Sequence, residues 1–254
     1  MKVRVLGGGT TGVAWSQSGC LLVDDRIAFD SGGLVSQLSV EEQAAIDELV
    51  VTHAHLDHVG ELAFLVDSVL MLRSTPLQIR APAAVIEQMR AHLFNNQLWP
   101  DFSQIRIGGI PAIEFSPLEP AEELVLGGLT IRWARTAHPV HSVGYLVSDG
   151  TAAFLYSGDT GPTEALWELA NRAGRLQAVF VETAFPNRLQ HLAHAAGHLT
   201  PALLGAELAK LRAPAAAINV MHVKPAYQAE IEAELRALAR PCRVMVGGEL
   251  FSFA

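Results

Sequence analysis

Residues 49–60 read Leu49-Val50-Val51-Thr52-His53-Ala54-His55-Leu56-Asp57-His58-Val59-Gly60. An apolar run that suits a buried strand stops at Thr52, and three imidazoles and a carboxylate crowd into the turn that follows. Buried polar groups without partners cost a few kcal/mol each, so a hydrophobic core has no use for such a cluster. A divalent metal resolves the conflict. Each imidazole offers a lone pair once its other nitrogen is tied up, and the carboxylate adds negative charge. His53 and His55 leave the strand two residues apart and share one side of an extended chain. Asp57 and His58 then open the segment His58 to Leu72, whose apolar spacing suits a helix. One turn can thus serve two neighbouring metals, His53 and His55 for the first, Asp57 and His58 for the second.

This HxHxDH pattern at the end of a buried strand resembles the metallo-β-lactamase superfamily of metallohydrolases. The resemblance implies an α/β fold, a four-layer αββα sandwich, with residues 1–254 forming one domain. It also implies more ligands at later strand ends. Ile131 to His138 ends on the expected third ligand of the first metal. Ala152 to Thr160 carries Asp159, the expected carboxylate bridge, and Ala217 to His222 ends on the expected last ligand of the second metal. His53, His55, His138 and Asp159 would complete one site; Asp57, His58, His222 and Asp159 would complete the other. Nitrogen and oxygen ligands suit two Zn²⁺ ions, with Mn²⁺ or Fe²⁺ also compatible, and spacing does not choose among them. Ions ~3.5–4 Å apart can hold one hydroxide between them, and a zinc-bound water has a pKa of about 7, so no serine or cysteine nucleophile is needed.

The second half narrows the family. Tyr156 to Pro162, Val181 to Asn187, Gly197 to Pro201 and Met221 to Pro225 occur in this order. Together they resemble the class II 3′,5′-cyclic-nucleotide phosphodiesterases, a branch of the same superfamily, and the likeness is dense only in residues 49–62 and 154–226. Glu61 stands where that pattern favours a small residue, and the chain is shorter than the eukaryotic members. The resemblance implies hydrolysis of cyclic AMP or cyclic GMP by attack of a metal-bound hydroxide. A similarly placed histidine in the tRNA-processing nucleases of the superfamily makes His198, held by Glu182, the expected acid for the departing sugar oxygen. The bland alternative has His198 capping a helix that begins near Pro201. Asp57, His198 and Glu182 are the expected catalytic set. Lys224, His141 and Ser142 are candidate substrate contacts, with Tyr145 beside them; a solvated lysine and a plain loop histidine are the competing readings. Asp30 is expected to hold a ligand imidazole from behind. Phe185 or Trp99 could stack on a base, and His191 and His194 read as exposed.

Composition limits the partners. Half of the 254 residues are hydrophobic, ample for a buried core, and the net charge is −8. That balance argues against an extensive nucleic-acid surface. Two divalent ions less two aspartates still leave a positive site for a small anionic substrate. The chain opens directly on a strand, Lys2 to Leu6, and has no run of about 18 apolar residues, so neither a signal peptide nor a membrane span is expected. Only two cysteines occur, Cys20 and Cys242, which points to a reducing cytoplasm. A homodimer is left open. Three rivals remain: a tRNA 3′-end nuclease, which should carry a Lys/Arg-rich arm; a lactone or thioester hydrolase on the same metals; and a non-catalytic nucleotide-binding scaffold, which should have lost ligands.

The remaining elements read as follows. Cys20 to Val23 and Arg26 to Phe29 suit a hairpin turned by Asp24-Asp25, and Leu124 to Leu126 and Leu129 to Ala134 another through Gly127-Gly128. Helices are expected over Val40 to Leu49, Pro82 to Phe94, Pro201 to Leu211 with Thr200 as N-cap, and Pro225 to Leu238. Gln97 to Pro120 is rich in Pro and Gly and reads as connecting loop, or else as a flap or oligomer contact. Gly7 to Gly12 formally matches the dinucleotide fingerprint GxGxxG, but only a stub of helix can follow before Gly19, so a tight turn is the better reading.

Overall fold

In the computed structural model, which describes residues 1–7, 19–119 and 123–253, the run before the histidines is a strand buried on both faces. Leu49 and Val51 point toward one core and Val50 toward another. A near-continuous apolar run of this kind suits a parallel strand sandwiched between layers. The strands in chain order are β1 (Lys2–Gly7), β2 (Gly19–Val23), β3 (Ile27–Phe29), β4 (Glu48–Val50), β5 (Leu77–Pro82), β6 (Arg106–Ile107), β7 (Ile110–Pro111) and β8 (Ile113–Leu118). They continue with β9 (Leu124–Leu126), β10 (Leu129–Arg135), β11 (Val143–Ser148), β12 (Ala153–Tyr156), β13 (Leu176–Glu182), β14 (Ala217–Met221), β15 (Cys242–Val244) and β16 (Leu250–Ser252). One seven-stranded sheet has the order β16-β1-β2-β3-β4-β5-β8 and the other β15-β14-β13-β12-β11-β10-β9. Each passes from antiparallel pairs (β1, β2, β3; β9, β10, β11, β12) to parallel ones (β3, β4, β5, β8; β12, β13, β14, β15).

Helices α1 (Leu34–Gln37), α2 (Val40–Ala44), α3 (Leu56–Val69) and α4 (Ala83–His92) cover the first sheet. Helices α5 (Ala165–Ala170), α7 (Pro201–Leu208) and α8 (Gln228–Leu235) cover the second, and α6 (Gln190–Ala196) sits on a small satellite cluster. Between the sheets lies a third core built on Phe29, Tyr145, Phe154 and Phe180, whose rings meet edge to face. Aromatic pairs in that arrangement add about 0.5–1.5 kcal/mol each beyond area burial. The layers are helix, sheet, sheet, helix, so the expected αββα sandwich is the observed one. Among the described residues no helix is long and apolar enough to cross a membrane.

Three expectations need correction. The helix expected over Val40 to Leu49 stops at Ala44. Ser39 and Glu42 form a capping box at its start, but Glu48 to Val50 pair with both β3 and β5, and sheet burial of these residues overrides helix propensity. The loop expected over Gln97 to Pro120 contains the β6–β7 hairpin, turned at Gly108-Gly109, and ends in β8, an edge strand beside β5. Pro117 hid that strand from sequence reading; an edge strand tolerates proline because its outer N–H groups have no ladder partner. The helix expected from Pro225 begins as a 3₁₀ turn, Pro225–Tyr227, before α8. The glycine-rich turn after Gly7 lies outside the described residues.

Glu61 acquires a role here. Its carboxylate, on α3, accepts hydrogen bonds from the backbone N–H of Val35 (2.6 Å) and Ser36 (3.3 Å) and from the Ser36 hydroxyl (3.0 Å). Gly33, the residue preceding α1, has no side chain to cap that helix. Glu61 supplies the missing acceptor from a neighbouring element. Glu61→Ala should lower stability by about 1 kcal/mol in urea unfolding, while leaving the bound-metal content of the purified chain unchanged.

Candidate metal centre

The site forms where parallel strands end. Asp30 follows β3, Thr52 to His58 follow β4, Asp159 follows β12, Glu182 ends β13 and His222 follows β14. In open α/β sheets ligands gather outside the carboxyl ends of strands, and both sheets obey that rule here. The backbone bends sharply to achieve it. Asp30 and His222 sit at positive φ, 59° and 57°, which few residues other than glycine adopt. Gly158 (φ 56°) precedes Asp159, and a Cβ there would lie 2.9 Å from Thr52 Cγ2. Only glycine lets the two strand ends approach so closely.

The first cluster joins His53, His55, His138 and Asp159, whose candidate ligand atoms all lie within 4.8 Å of one another. Thr52 Oγ1 donates its one proton to Asp30 (2.8 Å), so it must accept from His53 Nδ1–H at 3.0 Å. The Gly197 carbonyl accepts from His138 Nδ1–H at 3.0 Å. Both imidazoles therefore present a bare Nε2, and each Nε2 stands 3.1 Å from His55 Nδ1. At most one of those two contacts can be a hydrogen bond. The other sets lone pair against lone pair, an arrangement that needs a cation between the nitrogens. Burial lowers the pKa of His53, His55 and His138, keeping the rings neutral and the lone pairs free.

The second cluster joins Asp57, His58, Asp159 and His222. His58 Nδ1 donates to Asp30 (2.8 Å), which leaves Nε2 buried without a hydrogen-bond partner, 3.3 Å from Asp159 Oδ1. His222 Nε2 lies 3.3 Å from Asp57 Oδ2. Asp159 divides its carboxylate, Oδ2 3.6 Å from His53 and Oδ1 toward His58 and His222. Burial opposes its ionisation, yet positive charge at His222 and His58, the charge a bound cation would otherwise supply, holds its pKa well below the usual carboxylate range. An orphaned inward nitrogen, converging bare imidazoles and a shared carboxylate fit a pair of divalent ions. All seven residues expected as ligands meet in these two clusters.

A third group borders them. His198 Nδ1 is 2.8 Å from Glu182 Oε1, and its ring centroid lies 5.2 Å from those of both His138 and His222. Glu182 is locked, because Thr160, Ala184 and Leu199 also donate backbone N–H groups to its two oxygens. Burial works against a charged His198, but the charge and hydrogen bond of Glu182, with Asp159, raise its pKa above the usual histidine value. Thr200, not His198, caps α7 by accepting from Leu203 N–H, so the helix-cap alternative for His198 falls away.

The other candidates divide. Ser142 is fully buried, with its hydroxyl 3.5 Å from the Asp159 carbonyl, and Tyr145 donates to the Val51 carbonyl at 2.6 Å. Both support strand ends from within, which removes them as substrate contacts; Tyr145 lies on the inward side of β11 and Ser142 directly before it, and that was the signal overlooked. Lys224 and His141 are half-buried. The expected support from Asp30 is present, but two residues that share its work were missed. Tyr156, read as core, donates its hydroxyl to Asp30 at 2.8 Å, and Gly197 orients His138 through its carbonyl. The tyrosine gave no sequence signal; Gly197, a left-handed helix end directly before His198, did.

Residues 29–222 match the model of the beta-lactamase superfamily domain, and the chain belongs to that superfamily. Among particular relatives it is 30% identical over 207 residues to a probable 3′,5′-cyclic-nucleotide phosphodiesterase of Yersinia pestis, covering 72% of this chain and 59% of that protein, so the chain spans little more than half of the relative's length. It is 31% identical over 217 residues to ribonuclease Z of Mycobacterium avium, with 77% and 74% coverage. The crystal structure of unliganded yeast PDE1 superposes with a TM-score of 0.83 at 18% identity, covering 98% of each chain. The fold is the metallo-β-lactamase fold, whose members bind divalent metals.

Outer groups that orient ligand imidazoles are typically worth about 10–100-fold in metal affinity. Asp30→Asn should therefore weaken zinc binding by roughly that factor, measured by competition with a chromophoric chelator; unchanged affinity would show that the carboxylate is dispensable.

Proposed function

We propose that the chain is a binuclear metal-dependent phosphodiesterase hydrolysing 3′,5′-cyclic nucleotides. The reading is carried by one observation: a buried His198–Glu182 pair, its two groups 2.8 Å apart, stands beside both metal-ligand clusters, with the His198 ring centroid 5.2 Å from those of His138 and His222. A thioester hydrolase has less need of an added acid, because a thiolate leaves without a proton, whereas a ribose oxygen leaving a phosphodiester needs one. The similarity to the Yersinia pestis protein supports the same substrate class.

In this reading His53, His55, His138 and Asp159 hold one ion and Asp57, His58, His222 and Asp159 the other, with zinc the first choice. When bound, the ions supply an acidified water and the positive charge that offsets the developing negative charge at phosphorus. The chain's own residues do the rest. Asp57 keeps its carboxylate at the open side of the second cluster, 42% exposed, where substrate enters. Glu182 takes the Nδ1–H of His198 and fixes the ring, so that Nε2 can carry the proton delivered to the sugar oxygen. Lys224 meets a phosphoryl oxygen, and His141 remains a candidate contact at the rim. Two unpaired cysteines, Cys20 and Cys242, agree with a reducing cytoplasm. Residues 1–254 are read as one domain; β16 returns to pair with β1, joining the two ends of the sequence.

A second reading, tRNA 3′-end processing, is favoured by the similarity to ribonuclease Z over three quarters of both proteins. Against it, the net charge is −8, and arginines such as Arg26, Arg80, Arg132 and Arg188 are each neutralised by an acidic neighbour. Parallel assays separate the two. Cyclic AMP turnover without cleavage of a precursor tRNA supports the first reading, and the reverse result, with binding that falls steeply with salt, supports the second.

Loss of the acid is expected to be substrate-selective. His198→Ala should reduce cyclic AMP hydrolysis by about 10²–10³-fold while sparing a nitrophenyl diester, whose leaving group needs no proton. Equal losses on both would remove His198 from the proton path. The pH profile has a defined sign. Because Glu182 raises the His198 pKa, the acid form persists above the usual histidine range, and cyclic AMP turnover falls as pH rises through that raised value. Glu182→Gln should move this fall to lower pH.

A further inference from the structure

Phe185 stands between groups that the mechanism uses. It is 6% exposed and belongs to a satellite cluster with Ala184 and Ala193, against which Leu189, Ala196 and Tyr227 pack, separate from the three main cores. Its ring centroid lies 5.7 Å from that of His198 and 6.4 Å from that of Tyr227. On the ring itself, 5.1 Å from the centroid, rests the ammonium of Lys224. The chain contains only three lysines. Lys2 pairs with Asp25, and Lys210 with Glu164 and Glu207. Lys224 alone among them has no carboxylate partner among the described residues, and its ammonium lies over the aromatic face instead.

A lysine tip is a strongly hydrated charge on a flexible four-carbon stem, and left to itself it samples many rotamers. A carboxylate partner would restrain it but would also cancel its charge toward an anion. An aromatic face restrains it and leaves the charge unspent. We propose that Phe185 is a positioning residue whose ring holds the Lys224 ammonium at the rim of the metal clusters, beside His198, as an un-neutralised cation for a phosphoryl oxygen. The proposal rests on the phosphodiesterase reading for the identity of the substrate, but the shared chemistry is that of a phosphate, and inorganic phosphate serves as the probe.

Two measurements on the full chain test it. Reductive ¹³C-methylation labels the three lysines and the amino terminus and retains their charge. A methyl signal shifted upfield by the ring current, absent from Lys224→Arg and returned to the ordinary position in Phe185→Leu, is expected; no such signal would overturn the proposal whatever the activity. In the second measurement, calorimetry on the zinc-loaded chain follows inorganic phosphate. Phe185→Leu should weaken phosphate binding about three- to fivefold, the range expected of a partly exposed cation–π contact. Phe185→Trp, which keeps an aromatic face, should restore it. In a Lys224→Ala background Phe185→Leu should change nothing further. Equal weakening with and without Lys224 would reduce Phe185 to packing and sink the idea, and thermal melting of each variant identifies a fold defect. Should cyclic AMP hydrolysis fail while this coupling stands, the substrate assignment falls and the positioning role survives.

Discussion

The carboxylate of Asp30 is the group on which the centre depends. It is fully buried, and a buried charge left unpaired costs several kcal/mol. Here it is saturated. Thr52 donates through its N–H (2.7 Å) and its hydroxyl, His58 through Nδ1, and Tyr156 through its phenol. Those donors come from both sheets, since Thr52 and His58 follow β4 whereas Tyr156 ends β12. One carboxylate thus sets the tautomer of His58 directly and that of His53 through Thr52, while tying the two halves together under the metals. The left-handed backbone at Asp30 is the strain accepted to point it there.

How much of this could be read in the sequence follows from how local each feature is. HxHxDH was legible because six adjacent residues carry a chemistry that no core tolerates. His138, Asp159 and His222 were legible only through resemblance, because nothing in the spacing of strand ends 63 residues apart, as for His222 and Asp159, encodes their convergence. The sandwich was implied by the same resemblance, and strands with flanking helices in both halves suited it. What escaped was what tertiary contact decides. Tyr156 looks like any core aromatic until Asp30 is placed beneath it. Residues 45–49 look helical until two strands flank them. Glu61 looked like a departure from a family pattern and proves to cap α1 from outside.

The same duplication of layout, antiparallel strands giving way to parallel ones in each sheet, explains why the site has two halves. The first sheet delivers the histidine turn; the second delivers His138, Asp159, His222 and the Glu182 that holds His198. Relatives of this chain include both a probable cyclic-nucleotide phosphodiesterase and ribonuclease Z. The metal-ligand clusters alone do not distinguish those two activities, and the groups that border them in this chain are Phe185, His198 and Lys224.

Asp159 offers one oxygen to each cluster, and each cluster draws two ligands from the turn after β4 and two from strand ends of the second sheet. Ions seated there would act as rivets across the seam of the sandwich, stabilising the folded chain by an amount that grows with the logarithm of their free concentration. The stability of such a protein is then set partly by metal supply, over and above what the inter-sheet core and the Asp30 carboxylate contribute.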